Sequence, residues 1–341
     1  MRFLVTGGAG FIGSHIVERL LKDGHYVRVL DNFSSGKPEN LSFTIDHRLS
    51  TIDHKPSTID YELIKGDIRS FDDCLIACSG VDAILHQAAL RSVPESLDRP
   101  HDYNSVNIDG TVNMLRAAVN CNVKRFVFAS SCAVYGDAAT FPQKESAPCE
   151  LISPYALTKL AGEYYCRIFS VNNGLETVAL RYFNVFGPRQ SLEDEYAIVI
   201  PKFIDCMLNG KQPPIHGTGK QSRDFTYVDN VVQANILAAT VSANRKPQTA
   251  NRTDAFHATC NVGTGTDHSI LDLVATLNKI MGTSIKPVFT PPRQGDIFRA
   301  LADISKIRSV LGYQPSVSFE EGLRKTVKYF EALRLAHAHI C

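Results

Sequence analysis

The chain has 341 residues, 44% of them hydrophobic and 21% charged, which is enough apolar material for one large domain or two ordinary ones and too much for a disordered chain. Its formal net charge is +1, with no block of Lys or Arg, so a polyanion partner is not indicated. No apolar run approaches membrane-spanning length, and Met1 leads almost directly into Phe3-Leu4-Val5 with no basic-plus-apolar leader.

Residues 2–6 read as a short buried strand. Gly7-Gly8-Ala9-Gly10-Phe11-Ile12-Gly13 follows and opens a helical pattern, Ile16, Val17, Leu20 and Leu21, that ends near Gly24. Glycines there permit a tight turn and close backbone approach to a pyrophosphate at a helix N-terminus, where free N–H groups favour anions. A second strand, Tyr26–Leu30, ends in Asp31, eighteen residues past Gly13. A carboxylate at that place accepts both ribose hydroxyls of an adenosine and repels a 2′-phosphate. No Arg follows it directly, so NAD is favoured over NADP.

Residues 44–61 carry Thr-Ile-Asp-His, Thr-Ile-Asp-His and Thr-Ile-Asp-Tyr at a seven-residue spacing. Each unit has a single strong apolar residue and Pro56 interrupts, so the stretch reads as an inserted loop or frayed helix rather than a coiled coil. His47 and His54 then belong to a solvated loop. Strand–helix alternation resumes with Glu62–Lys65, which ends at Gly66-Asp67-Ile68, suited to the adenine edge. Cys74 and Cys78, one helical turn apart, read as packing residues. The nine cysteines contain no Cys-x-x-Cys pair and read as free thiols in a reducing cytosol. Val81–Leu85 is the next strand, ending in His86-Gln87-Ala88-Ala89, small residues where a cofactor must pass. His86 reads as a satisfied strand-end histidine. Asn104–Asn120 reads as one helix.

Lys124–Ala129 is a strand that delivers Ser130 and Ser131 at its carboxyl end, where parallel sheets bind ligands. Ser153 is a good N-cap and Pro154 suits the first helical position. Tyr155 and Lys159, four apart, therefore share a helix face. Ionising a phenol at neutral pH needs a shift of about three units, or roughly 4 kcal/mol. One cation at ~5 Å in an effective dielectric of ~20 supplies roughly 3 kcal/mol. The Lys159 ammonium plus a second positive charge, such as oxidised nicotinamide, would hold Tyr155 as a phenolate. Thr177–Leu180 is a further strand, and after it the alternation loosens. Asp229–Thr240 reads as a helix, Asn244–Thr253 as a surface loop and Thr259–Val262 as a last strand. Arg223 and Arg293 are candidates to converge on a diphosphate. The expected fold is α/β, a doubly wound parallel sheet with a smaller α/β substrate region. Residues 1–181 with roughly 225–262 would hold NAD, and 182–224 with 263–335 the substrate.

GGAGFIG, LDNFSSG, GDIR, LHQAA, ASSCAVYGD, SPYALTK, LRYFNVFGPRQ, SRDFTYV and RQGD stand in this order along the chain. Together they resemble the extended short-chain dehydrogenase/reductases, specifically the UDP-hexose 4-epimerases. They are most like the bacterial UDP-N-acetylglucosamine 4-epimerases of polysaccharide synthesis. The likeness covers roughly residues 1–330. It implies a catalytic trio of Ser131, Tyr155 and Lys159, a bound NAD that is regenerated in each cycle, a homodimer and a cytoplasmic enzyme without a metal. Cofactor contacts would fall on Gly7, Gly10, Phe11, Ile12, Gly13, Asp31, Asn32, Ser34, Ser35, Gly36, Asp67, Ile68, Gln87, Ala88, Ala89, Arg91, Asn104 and Phe183, besides Tyr155 and Lys159. Substrate contacts would fall on Ser92, Ser131, Tyr135, Tyr155, Asn184, Arg223, Arg293 and Asp296, with His216 near the uracil.

Related 4,6-dehydratases carry an Asp-Glu pair where this chain has Cys132 and Ala133, and related decarboxylases keep the Glu. Both activities are therefore disfavoured. A bulky Tyr at the place of Ala300 restricts relatives to plain hexoses, so Ala300 implies room for an N-acetyl group. The resulting expectation is UDP-GlcNAc/UDP-GalNAc interconversion, with UDP-Glc/UDP-Gal as a further pair. A UDP-glucose-only epimerase, another NAD-dependent UDP-sugar enzyme and a non-catalytic NAD-binding sensor stay as alternatives.

Overall fold

Seven apolar stretches become neighbours in one sheet because each is followed by a crossover long enough to return parallel. The computed structural model describes residues 1–43, 60–192, 199–241, 255–292 and 297–338. Its central strands are β1 (Arg2–Thr6), β2 (Tyr26–Asp31), β3 (Tyr61–Lys65), β4 (Ala83–His86), β5 (Arg125–Ser131), β6 (Glu176–Tyr182) and, after four short strands, β11 (His257–Val262). They lie in the order β11-β6-β5-β4-β1-β2-β3, and every pairing is parallel. The expected doubly wound sheet is present.

Successive strand residues feed opposite cores. Phe3, Val5, Val27, Val29 and Val127 join one buried cluster, with Ile16 and Val17 of α1 (Phe11–Lys22). Leu4, Leu30, Ile84, Phe126 and Phe128 join the other. That second cluster is closed by α2 (Phe71–Cys78), α4 (Gly110–Asn120) and α5 (Pro154–Asn173), the last two after the short α3 (Val93–Asp98). Strands buried on both faces read as continuous apolar runs, which is why they were easy to recognise. Cys74 and Cys78 are buried in this second cluster.

Most of the remaining elements build a smaller region. It contains β7 (Val185–Phe186), α6 (Val199–Leu208), β8 (Pro214–His216), β9 (Ser222–Arg223) and β10 (Thr226–Tyr227), whereas α7 (Val228–Thr240) returns to the main sheet and packs on α1, β5 and β6. After β11 come β12 (His268–Ser269), α8 (Ile270–Met281), β13 (Val288–Thr290), β14 (Arg299–Ala300), α9 (Ser305–Leu311) and α10 (Phe319–Ala338). β9 is central in a three-stranded sheet, β12-β9-β14.

Two expectations change. The single helix over 104–120 is divided, because Asn104–Asp109 is π-helical before α4 begins. The wide turn coincides with Asn107, whose carboxamide exchanges hydrogen bonds with both Leu90 N and Leu90 O and donates to Thr158 Oγ1. The last strand starts two residues earlier than expected and completes the edge of the central sheet beside β6. The 44–61 repeat lies outside the described residues except for Asp60 and Tyr61, and Tyr61 opens β3. The Asn244–Thr253 stretch and His47 and His54 also lie outside them.

Candidate active site

The Gly-rich turn is built by backbone contact. Gly7 sits at φ +66°, and a Cβ there would lie 2.8 Å from Ala88 N. A Cβ on Gly13 would strike Gly7 O at 2.1 Å, so the last glycine of the turn is what lets α1 begin so close to β1. The first turn of α1 has no side-chain cap and no acidic residue. Its leading N–H groups stay available to an anion, which fits a pyrophosphate held near Gly10, Phe11, Ile12 and Gly13.

Asp31 is buried at the end of β2. Its carboxylate accepts Ala9 N at 2.9 Å and Phe33 N at 2.8 Å, and burial raises its pKa. Asp31 thus braces the Gly-rich turn as well as standing where a ribose would come. A Cβ on Gly36 would lie 2.9 Å from both carboxylate oxygens. Ser34 and Ser35 are exposed on the same loop. Asn32 Nδ2 donates to Asp67 at 2.9 Å, and the Arg69 guanidinium beside Asp67 holds that carboxyl well below the usual range. Ile68 is buried next to them. At the end of β4, Ala88 N donates to Thr6 Oγ1 at 3.2 Å. Ala89 is half-buried on the same stretch. Gln87 Nε2 donates to Asn235 Oδ1, and Tyr182 OH donates to Gln87 Oε1. His86 is wholly buried between Thr6 and Thr111 hydroxyls, at 2.7 and 3.1 Å, the satisfied histidine expected.

α5 is placed as its sequence requires. Ser153 Oγ accepts Ala156 N at 3.2 Å and Pro154 opens the helix. Ser131 ends β5 and caps the short 3₁₀ turn Cys132–Tyr135, accepting Ala133 N at 3.2 Å. The Ser131 hydroxyl stands close enough to the Tyr155 phenol to pull its pKa down. Lys159 Nζ donates to Ala129 O at 2.8 Å and lies 5.8 Å from the centre of the Tyr155 ring. The three residues therefore meet at one strand end.

The protein's own groups set the starting point on which a second positive charge would act. Burial pushes the Tyr155 phenol up to about 12, with the Ser131 hydroxyl pulling it down and Arg91 helping. Burial also brings Lys159 down to about 7. Desolvation of both groups outweighs the ammonium field that the sequence suggested. The protein by itself favours a neutral phenol.

The other expected residues divide. Arg223 and Ala300 are register partners on β9 and β14, and Asp224 N donates to Ala300 O at 2.7 Å. Asn184 follows β6 at φ +24°; its backbone N–H reaches the Cys132 sulfur, and its buried Oδ1 has no hydrogen-bond partner. His216 pairs with Thr290 Oγ1 at 2.8 Å at the end of β8. Ser92 caps α3 by accepting Glu95 N. Phe183 is fully buried against Tyr135. The Tyr135 hydroxyl is donated to Asn261 Oδ1 at 2.6 Å inside the core, not presented at an open surface. Asn104 is exposed, whereas Asn107 three residues on is buried and bonded to Leu90. Arg293 and Asp296 lie outside the described residues.

Sequence reasoning missed Asn107 and Glu163. Glu163 was within reach, since it continues the Tyr155–Lys159 spacing by another four residues. Asn107 has partners remote in sequence and offers no such signal.

A family model described as the NAD dependent epimerase/dehydratase family matches residues 3–251. The UDP-glucose 4-epimerase of Mycolicibacterium smegmatis is 38% identical over 332 residues, covering 97% of this chain and 98% of its own. A solved UDP-N-acetylglucosamine 4-epimerase from Methanobrevibacter ruminantium M1, in complex with UDP-N-acetylmuramic acid, is 40% identical. It superposes with a TM-score of 0.85 over 97% of this chain and 98% of its own. The Thermus thermophilus UDP-glucose 4-epimerase in complex with NAD is 34% identical, with a TM-score of 0.82 over 97% of this chain and 99% of its own. With the Gly-rich turn, the Ser-Tyr-Lys meeting point and matches of this length together, the chain belongs to the NAD-dependent epimerase/dehydratase family, in its extended short-chain dehydrogenase/reductase form.

Proposed function

We propose that this enzyme, an NAD-dependent UDP-sugar 4-epimerase, interconverts UDP-N-acetylglucosamine and UDP-N-acetylgalactosamine. The observation that carries the acetylated substrate is Ala300, a methyl side chain on β14 directly beside Arg223. A small residue at that place leaves volume for an N-acetyl group. Among the described residues, the groups acting on the Tyr155 phenol are Ser131, Cys132, Arg91 and Tyr182. None is a carboxylic acid, which supports epimerisation over dehydration.

Tyr155 takes the proton from the sugar 4-hydroxyl and returns it when the opposite configuration forms. Ser131 hydrogen-bonds the reacting oxygen and passes the proton along. Lys159, anchored on Ala129 O, fixes the side of the helix on which Tyr155 stands and orients the nicotinamide ribose. When bound, NAD supplies the acceptor and donor of the C4 hydride and, oxidised, a positive charge that favours the Tyr155 phenolate. The uncapped start of α1 and Asp31 would hold its diphosphate and adenosine ribose, and Phe183 would border the nicotinamide. Arg223 and Arg293 would grip the UDP diphosphate, with Asn184, Ser92 and Asp296 on the remaining polar groups. The 4-keto sugar turns over inside the site and presents its other face.

Leu157, Tyr164 and Ile168 form an exposed apolar stripe on α5, with Leu97 and Ile152 also exposed. That stripe supports a homodimer through this helix. The described cysteines are all unpaired, in keeping with a cytoplasmic enzyme, and the resemblance assigns its product to polysaccharide synthesis. Conversion of UDP-N-acetylglucosamine and UDP-glucose, assayed separately on purified protein, tests the substrate. Turnover of the acetylated sugar supports the proposal; turnover of UDP-glucose alone refutes it and leaves a UDP-glucose 4-epimerase, the activity named for the 38% identical relative.

A further inference from the structure

Three successive residues at the end of β5 are each held by one face of α5. Lys159 Nζ donates to Ala129 O at 2.8 Å. Ser130 Oγ donates to Glu163 Oε1 at 2.5 Å. The Ser131 hydroxyl faces the Tyr155 phenol and lowers its pKa. On the helix the three partners are spaced by four residues each, so they form one stripe. The middle contact has no part in the proton chemistry, yet it is the most elaborate of the three. Glu163 also takes a bidentate pair from Arg181, Nε at 2.8 Å and Nη2 at 2.7 Å, and both side chains are almost wholly buried.

Arg181 is the cross-strand register partner of Ser130 on β6. One carboxylate therefore ties β5 and β6 together at the level of Ser130, one residue before Ser131. Arg181 also lies over the Tyr135 ring at 4.8 Å, so the same cation braces the turn that follows Ser131. The helix can reach this depth only because residue 162 is glycine; a Cβ there would lie 2.3 Å from the Phe128 ring. A buried ion pair is a weak source of net stability but a strong geometric constraint, because bidentate pairing fixes direction as well as distance.

We propose that Glu163 is a positioning residue for epimerisation, acting through Ser130 and Arg181 to hold the β5 terminus where the Ser131 hydroxyl meets Tyr155. The proposal rests on the Ser131–Tyr155–Lys159 reading of the site. Ser130→Ala tests it with little disturbance, since the Glu163–Arg181 pair stays whole; Ser130→Thr, which restores a hydroxyl, is the rescue. The readouts are kcat and KM for the UDP-sugar, bound NAD per protein, and the acid limb of the kcat–pH profile.

For Ser130→Ala, kcat falls on the order of 10- to 100-fold, the cost of a misplacement of about an ångström. KM and bound NAD stay near wild type. The acid limb moves to higher pH, because the Ser131 hydroxyl lowers the Tyr155 pKa; the other groups acting on the phenol, Cys132, Arg91 and Tyr182, are unchanged, as is Lys159 beside the ring. Ser130→Thr recovers most of the rate and the limb. Ser130→Ala with wild-type kcat overturns the proposal. So does a loss that only tracks bound NAD and leaves the acid limb in place, the mark of a purely structural role. A wild-type protein that inverts no UDP-sugar overturns the functional reading and this proposal with it, whereas an active wild type with an unaffected Ser130→Ala overturns this proposal alone.

Discussion

On the proposed function, Ala300 sets the substrate by volume. It is nearly buried on β14, in register with Arg223, so a phenol ring placed there must occupy space that the proposal assigns to the N-acetyl group. Ala300→Tyr should reduce kcat/KM for UDP-N-acetylglucosamine roughly tenfold or more, with much less effect on UDP-glucose. Equal loss on both substrates would remove volume as the discriminating feature. That Tyr155, Lys159 and Ser131 come together was legible in the sequence because a four-residue spacing and a strand terminus are local properties. The direction of their pKa shifts was not legible. It depends on how completely each group is desolvated, and that is set by residues far away in the chain. Asn104 and Asn107 show the same limit. Both lie in one π-helical stretch, and only the fold reveals that Asn107 is the one bonded to Leu90 and Thr158.

Among the elements, α5 holds the residues to which the proposed function assigns the chemistry, and its seat on β5 is set by Gly162. Gly162→Ala would force the new methyl group against Phe128, moving the helix or the ring. It should destabilise the protein by about 1–3 kcal/mol, as overpacked cores do, read as a lower urea midpoint. Activity should fall further than the folded fraction, because Lys159 and Glu163 ride on the same helix. An unchanged midpoint with full activity would mean that the ring moves aside freely. The inner strands were readable from the sequence since they are buried on both faces, unlike the edge strand β3. The small sheets of the second region were not, because two- and three-residue strands carry no periodicity. The pairing of Arg223 with Ala300 came entirely from topology.

At the scale of the whole molecule, three histidines are held neutral by burial. Desolvation lowers His86 to about 3 and His15 and His257 to about 4, against an ordinary 6.5. The unfolded chain therefore takes up these protons first as pH falls. Their contribution to stability is complete above about pH 6.5 and is lost progressively toward pH 3–4. The buried Asp31 and Asp224, whose pKa values are raised, work in the other direction, but only when carboxylates begin to protonate. Urea unfolding at pH 7 and pH 5.5 should show a lower midpoint at the more acidic value; equal or higher stability at pH 5.5 would show that these histidines are not held neutral.

The whole account depends on one phenolic oxygen, and replacing Tyr155 with Phe removes only that atom. The variant should fold, keep its bound NAD and lose about 10²- to 10⁴-fold in kcat for 4-epimerisation. Sugar inversion by Tyr155→Phe at the wild-type rate would contradict it.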